Sequence, residues 1–164
     1  SPNLRTLSAA TLYPGLGFLD ATDVSVGRGT SRPFEQIGAA YIDGAQLAAY
    51  LTARKIPGVS FAPTSFAVVD DATRYPGHGK TISGVAFTVT DRNVLDAPEL
   101  GIEVVSALHR LYPQFPLAKT ATLIANAGTM QSLANKEDPR KIAAEWAADL
   151  ATFERQRQPY LLYQ

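Results

Sequence analysis

The residues best suited to chemistry lie in one glycine-rich stretch, residues 25–35, which reads SVGRGTSRPFE. Two glycines flank an arginine there, so the backbone can approach a ligand closely while the guanidinium presents a forked set of donors. The stretch also supplies a hydroxyl, a carboxylate and a flat aromatic ring, which together suit a sugar or a ligand that carries a carboxylate. The candidate substrate-binding residues in this stretch are Arg28, Gly29, Thr30, Phe34 and Glu35.

A second candidate pair, Asp91 and Arg92, follows Thr90 at the end of a predicted strand. Strand ends are a common place for functional side chains in α/β proteins. Both candidate groups have a purely structural alternative. Arg28 could serve merely to hydrogen-bond the backbone carbonyls of a shaped loop. Asp91 and Arg92 could likewise serve merely to close a turn. The residues alone leave both alternatives open.

Three glycine motifs, one of which lies within residues 25–35, resemble nucleotide-binding sequences without meeting their requirements. GHGKT at residues 77–81 has the end of a P-loop, but Arg74 stands where the first glycine is needed and a strand is expected to follow instead of a helix. GLG at residues 15–17 and GRG at residues 27–29 lack the third glycine of a dinucleotide-binding fingerprint. We therefore expect no cofactor.

Composition excludes several classes of function. Fifteen basic and fifteen acidic residues give the 164-residue chain no net charge, whereas nucleic-acid binding needs an excess of basic side chains, so no nucleic-acid partner is expected. The chain has no cysteine, and its two histidines, His78 and His109, are far apart in sequence, so we predict no metal site. No apolar stretch is long enough to predict a membrane span.

Three strands are predicted, at residues 34–42, 59–69 and 82–90. In the last of these, Val85, Phe87 and Val89 alternate with smaller residues, which is the period of a half-buried strand. Helices are predicted to begin at Asp43 and at Asp96, since both are good N-cap residues.

Two further helices are predicted in the second half of the chain. One is a short helix around residues 123–133. The other is a last long helix that begins at Asp138 and carries an apolar stripe of Ile142, Trp146, Leu150 and Phe153. This order of elements predicts an α/β fold of α+β character, a single domain in which a mixed β-sheet is covered by about three to four helices.

Short motifs along the chain occur in an order that is typical of one family. They are SPN at 1–3, LYPG at 12–15, SVGRGT at 25–30, PFE at 33–35, IGA at 37–39, PGV at 57–59, FAP at 61–63, GV at 84–85, TDR at 90–92, LYP at 111–113 and YLLY at 160–163. With them the chain resembles, over essentially all 164 residues, the C-terminal auxiliary domain of the NamZ-like exo-β-N-acetylmuramidases. One departure is Ala125-Asn126, where relatives commonly carry a glycine, so we expect a local difference in packing there.

The resemblance implies an enzyme that removes N-acetylmuramic acid from the non-reducing ends of peptidoglycan fragments. It also implies a Rossmann-like N-terminal catalytic domain as partner, muramic acid saccharides as ligands, and a location in the bacterial cell envelope or outside the cell. Residues 28–35 with Asp91 and Arg92 would face the cleft between the two domains. Arg28 or Arg92 would then pair with the lactyl carboxylate of the muramic residue, a charge-assisted contact.

Residues 1–164 are expected to form only the C-terminal domain, without the catalytic N-terminal one. No catalytic residue can be assigned to them, and the isolated domain is expected to be inactive because the donor acid lies elsewhere. A domain separated from its partner should also expose an apolar patch. The alternative function is a non-enzymatic module that binds a cell-wall sugar or a partner domain.

Overall fold

A computed structural model describes residues 3–69 and 75–162 of the chain. Arg74, which stands where a P-loop would need glycine, lies outside the described residues. The elements are α1 (Leu7–Leu16), β1 (Gln36–Ala39), α2 (Gly44–Ala53), β2 (Val59–Ala67), β3 (Thr81–Val89), α3 (Ala97–Leu111), α4 (Ala121–Ile124), α5 (Ala127–Ala134), α6 (Pro139–Ala144) and α7 (Ala147–Arg157). Single 3₁₀ turns occupy Gly17–Leu19, Leu117–Thr120 and Gln158–Tyr160.

The three strands form one sheet in the order β1-β3-β2, with β3 in the centre. All three predicted strands and the α/β class are confirmed. The sheet is antiparallel throughout, however, and not mixed, because the central strand β3 pairs with both β1 and β2 in the antiparallel direction. A lone parallel bridge between Val68 and His78 lies outside the strands.

The core lies between one face of the sheet and helices α1, α2 and α3. Ile37, Val85 and Phe87 project from the sheet into this core. The predicted starts of α2 and α3 are confirmed. Asp43 accepts hydrogen bonds from the backbone N–H groups of the first turn of α2, and Asp96 accepts one from the N–H of Glu99 at 2.9 Å. These caps satisfy N–H groups that a helix start leaves without partners.

The sequence pattern did not predict the first helix, α1. Its N-cap is Thr6, whose Oγ1 accepts a hydrogen bond from the N–H of Ala9 at 2.9 Å. Pro14 lies inside α1, and because proline usually ends a helix, its presence argues against a helix in this stretch. The helix crosses α3 very closely, because a Cβ on Gly15 would lie 1.9 Å from the carbonyl oxygen of Ala97. The glycine at this crossing therefore holds α1 against the core.

The predicted short helix around residues 123–133 is divided into α4 and α5. Ala125 separates them with a left-handed φ of 51°, a conformation that favours glycine. Asn126 then caps α5 by accepting a hydrogen bond from the N–H of Thr129 at 2.9 Å.

The prediction of one long last helix is wrong, because α6 ends at Ala144 and α7 begins at Ala147. Ile142 is buried and Trp146 packs against the core, with its Nε1 donating to Thr129 Oγ1 at 3.0 Å, but the side chains farther along α7 are exposed. With α1 and these two divisions, the described part of the chain holds seven α-helices and not three to four.

A buried ion pair ties α6 to the body. Glu103 on α3 is fully buried, and its two oxygens accept hydrogen bonds from Arg54 Nε and Nη2, each at 2.8 Å. Arg54 Nη2 also donates to Asp138, the N-cap of α6, at 2.7 Å. The Arg54 guanidinium lowers the pKa of the Asp138 carboxyl. A buried carboxylate needs such a partner, so the pair fixes how three helices meet.

Candidate functional site

A pocket of about 350 Å³ lies between the first turns of α1 and the end of β3. We call it the Arg92 pocket. It is lined by Leu7, Ser8, Thr11, Val89, Thr90, Asp91, Arg92 and Asn93. Its volume is at the lower end of the range for small-molecule sites. The predicted pair Asp91 and Arg92 therefore does lie at a pocket.

The chain forms this pocket by a tight turn after β3. The backbone N–H groups of Thr90 and Asp91 both donate to the carbonyl of Gly58, at 2.9 and 3.2 Å. One carboxylate oxygen of Asp91 then accepts a hydrogen bond from the N–H of Asn93 at 2.9 Å. These bonds hold the Asp91 side chain over its own turn and leave its second oxygen without a bond of this kind in the described residues.

The side chains of the pocket offer several kinds of contact to a ligand. Arg92 is exposed, and its guanidinium has no hydrogen-bond or ion-pair partner among residues 3–69 and 75–162. Ser8 and Thr90 add hydroxyls, and Leu7 with Val89 adds an apolar wall. A free cation, hydroxyls, a carboxylate and an apolar wall suit a sugar that carries an acid group.

Arg28 is in a different situation, because it is already paired. Its Nε donates to Asp20 Oδ1 at 3.0 Å and its Nη2 donates to Asp20 Oδ2 at 2.6 Å, a bidentate arrangement. The hydrogen bonds that Arg28 donates to Asp20 raise the pKa of Arg28 above its ordinary value. The guanidinium carbon also lies 4.7 Å from the centre of the Phe34 ring. These contacts tie Arg28 into the protein itself.

Thr30 and Gly29 shape the same loop. Thr30 Oγ1 donates to the carbonyl of Gly27 at 2.7 Å and accepts from the N–H of Arg32 and from Gln36 Nε2, each at 3.1 Å. Gly29 has a φ of 77°, in the left-handed region that glycine adopts without strain. Both residues thus have a structural explanation.

Phe34 and Glu35 connect this loop to α1. The ring of Phe34 is buried and meets the ring of Tyr13 edge to face, with centroids 5.0 Å apart. One oxygen of Glu35 accepts a hydrogen bond from the hydroxyl of Thr6, the N-cap of α1, and the other lies 3.6 Å from Arg32 Nε. The loop therefore supports the helix that forms one wall of the Arg92 pocket.

The two predicted groups do not meet in one pocket. Arg28 lines a second pocket of about 310 Å³ with Asp20 and Tyr75, whereas none of the residues that line the Arg92 pocket belongs to residues 28–35. Glu35 comes nearest, through its contact with Thr6 beside Leu7. Phe34 is buried and is not available to a ligand.

The pocket residues Leu7, Ser8 and Thr11 come from α1, a helix that was not predicted. A signal for α1 exists in the sequence. Ala9, Leu12, Leu16 and Leu19 are spaced three and four residues apart, as on one face of a helix. Reading that spacing together with Thr6 as N-cap would have placed a helix beside the site.

Asp91 is the only carboxylate among the described residues that line the Arg92 pocket. Hydrolysis of a glycosidic bond usually needs two carboxyl groups that flank it. In the described part of the chain, no three His, Asp or Glu side chains gather as a possible metal site. Nor does any helix there have the length and apolar character needed to cross a bilayer.

A family described as "Exo-beta-N-acetylmuramidase NamZ, C-terminal" matches residues 11–163 of the chain, which is nearly its whole length. The chain belongs to this NamZ C-terminal family. A curated relative, the peptidoglycan beta-N-acetylmuramidase NamZ of Bacillus subtilis (strain 168), is 33% identical over 167 residues, covering 99% of this chain and 39% of the relative. The resemblance to the C-terminal domain of this family is thereby confirmed.

Two solved structures of DUF1343 family proteins from Bacteroides fragilis NCTC 9343 share the fold. They superpose with TM-scores of 0.71 and 0.69 at 23% and 24% identity, and each covers all of this chain. The chain spans 44% and 43% of their lengths. The region that superposes on this chain thus makes up about two fifths of each of these proteins.

Proposed function

We propose that this domain forms one wall of the substrate cleft of an exo-acting β-N-acetylmuramidase, and that its Arg92 pocket contacts the terminal N-acetylmuramic acid residue of a peptidoglycan fragment. The observation that carries the proposal is the guanidinium of Arg92, which pairs with no residue in the described part of the chain and lies beside Asp91 in an open pocket. The muramic residue bears a lactyl carboxylate for the guanidinium, hydroxyls for Asp91, and methyl groups for Leu7 and Val89.

The geometry favours Arg92 over Arg28 as the partner of the lactyl carboxylate. Arg28 would have to give up two hydrogen bonds to Asp20 before it could bind another carboxylate. Charge-assisted bidentate bonds are among the strongest in proteins, so this exchange brings little net gain. Arg92 has no such bond to lose.

Bond cleavage itself is assigned to the other half of the enzyme. Among the described residues that line the pocket, Asp91 is the one carboxylate, whereas glycoside hydrolysis usually uses a pair of acid groups. We therefore propose that a Rossmann-like N-terminal domain supplies the catalytic acid, and that the assembled enzyme works in the bacterial cell envelope, where its substrate lies.

The test is the release of N-acetylmuramic acid from a chromogenic muramic acid glycoside by the assembled enzyme. Arg92→Ala should lower kcat/KM by about 10- to 100-fold, which corresponds to the loss of one charge-assisted contact. Arg92→Lys should recover only part of this, because lysine keeps the charge but not the fork. Lys80→Ala is the matched control, an exposed cation at another pocket.

The ligand offers a second control. N-acetylglucosamine lacks the lactyl group, so as a competitive inhibitor it should bind the wild type and Arg92→Ala equally well, while N-acetylmuramic acid should lose affinity only for the variant. Equal losses for both sugars, or no loss in kcat/KM, would remove Arg92 from the carboxylate contact.

A non-enzymatic binding module is the second candidate function. It is favoured by one observation, namely that α1 and the turn after β3 together form a pocket within this domain. Calorimetric titration of the 164-residue chain with a muramic acid disaccharide separates the candidates. Saturable binding without any activity in the longer polypeptide supports the module, whereas activity that needs both halves supports the cleft.

A further inference from the structure

The helix α7 is unusual because no part of the chain that the structure describes covers it. None of the residues of α7 is buried. Ten large apolar side chains are exposed in the described part of the chain, and five of them are Leu150, Phe153, Tyr160, Leu161 and Leu162. We call these five residues the α7 surface. Such a concentration of exposed apolar side chains in one short stretch marks an interaction site.

The apolar face of α7 continues an apolar stripe whose first residues pack against the core. Ile142 and Trp146 pack against the core, and Leu150 and Phe153 follow at helical spacing but are 53% and 57% exposed. Arg155, in contrast, lies on the opposite side of the helix. The stripe is thus covered at its start and bare at its end, although its residue types are those of a buried face.

An 11-residue helix also needs support from packing. Isolated helices shorter than about 12–15 residues are marginal in water, and α7 has no buried contact to the body to compensate. The family match runs to residue 163, and both solved structures cover the whole chain, so the α7 segment belongs to the domain.

The relatives indicate what could cover this surface. The Bacillus subtilis relative and the two Bacteroides fragilis proteins each have more than half of their length outside the region that matches this chain. A polypeptide of that size is large enough to hold an apolar face that complements α7. A second copy of this chain could cover α7 without such a region, and the test below distinguishes that case.

We propose that the α7 surface docks onto the polypeptide region that the relatives carry outside the match, and that this contact joins the two halves of the enzyme. The inference rests on the proposed function only in requiring such a second half. Docking would bury Leu150 and Phe153 and would order α7. The Arg92 pocket makes no use of these side chains, so docking and sugar contact are separable.

Hydrogen–deuterium exchange tests the proposal directly. The amides of α7 are compared in the 164-residue chain alone and in the full polypeptide that its gene encodes. We expect fast exchange in the chain alone and a slowing of about 100-fold or more in the full polypeptide, since covered helices exchange only through opening. Protection in the chain alone at low concentration would overturn the proposal, as would a lack of protection in both.

Variants separate docking from other effects. The double variant Leu150→Asp with Phe153→Asp should remove the protection of α7 in the full polypeptide and leave the melting temperature of the 164-residue chain unchanged. The control is Val69→Asp, another exposed apolar position at the end of β2, which should keep the protection. Protection in the chain alone that rises with its concentration, together with a dimer by light scattering, would assign the surface to a second copy instead.

The two proposals can fail independently. Arg92→Ala should leave the protection of α7 intact even where it lowers kcat/KM. If α7 is protected as expected but Arg92→Ala has no effect on the sugar, docking stands and the sugar contact is wrong. If the α7 variants keep full protection while Arg92→Ala lowers kcat/KM, the sugar contact stands and docking is wrong.

Discussion

Two arginine-bearing loops of this domain are similar in sequence character and different in structure. In residues 28–35, the guanidinium of Arg28 is held by both oxygens of Asp20 and lies against the ring of Phe34. In the turn after β3, Arg92 is exposed and no described residue pairs with it. The polar groups of the first loop form bonds within the protein, whereas those of the second loop remain available to a ligand.

The difference shows that a motif rich in functional residue types can serve the scaffold of a site. The loop at residues 28–35 holds Thr6 through Glu35, and Thr6 caps the helix that forms a wall of the Arg92 pocket. Substitutions in this loop should therefore act first on stability, and substitutions at Arg92 should act on the ligand alone.

The largest expected effect is that of Phe34→Ala. This side chain is only 1% exposed, so its removal should lower the free energy of unfolding by about 3–5 kcal/mol, the usual cost of deleting a buried phenylalanine. Chemical denaturation of the 164-residue chain measures it. Phe153→Ala, on the uncovered face of α7, is the matched control and should change stability by less than about 0.5 kcal/mol. A small effect at Phe34 would mean that the loop is not part of the core.

A smaller loss is expected for Arg28→Met, which keeps much of the side-chain volume and removes the charge. We expect about 1–2 kcal/mol, because the pair with Asp20 is bidentate but partly exposed. Asp20→Asn completes a double-mutant cycle, and the coupling between the two sites should be about 1 kcal/mol in denaturation experiments. Strictly additive effects would show that the pair does not stabilise the loop.

Thr6→Val should cost about 1 kcal/mol, the typical value of a helix N-cap. The valine cannot accept the hydrogen bond from Ala9 or donate to Glu35. Because α1 carries Ser8 into the pocket, the affinity for the muramic sugar should fall by a few-fold as well. Thr152→Val, which removes a hydroxyl from exposed α7, is the control for the loss of a helical threonine. An unchanged melting temperature for Thr6→Val would show that the contact between the loop and Thr6 does not stabilise α1.

The elements with strong local signals could be predicted from the sequence. The alternation in β3 and the caps Asp43 and Asp96 depend on neighbours within a few residues, and the structure has all of them. The break between α6 and α7 has no such signal, since Glu145 and Trp146 are both compatible with a continuous helix.

The site depends on contacts that local sequence does not encode. Whether Arg28 is free or paired is decided by the position of Asp20, across a turn, and whether Arg92 lies at a pocket is decided by α1, which is far away in sequence. The sequence therefore offers these residues only as one candidate set, and their division into scaffold and pocket needs the three-dimensional arrangement.

The smallest expected effect on stability is that of Arg92→Ala, and it is the most informative one for the contrast between the two loops. An exposed side chain without a partner contributes within about 0.5 kcal/mol, so the denaturation midpoint should match that of the wild type. The same variant should weaken binding of the muramic sugar by tenfold or more, measured by titration or by kcat/KM in the assembled enzyme. A cation at a pocket that pairs with no other residue contributes little to the stability of the fold, and it is therefore available to bind a ligand. If Arg92→Ala instead destabilised the chain as much as Arg28→Met, the turn after β3 would be scaffold as well, and the sugar contact would have to be sought elsewhere.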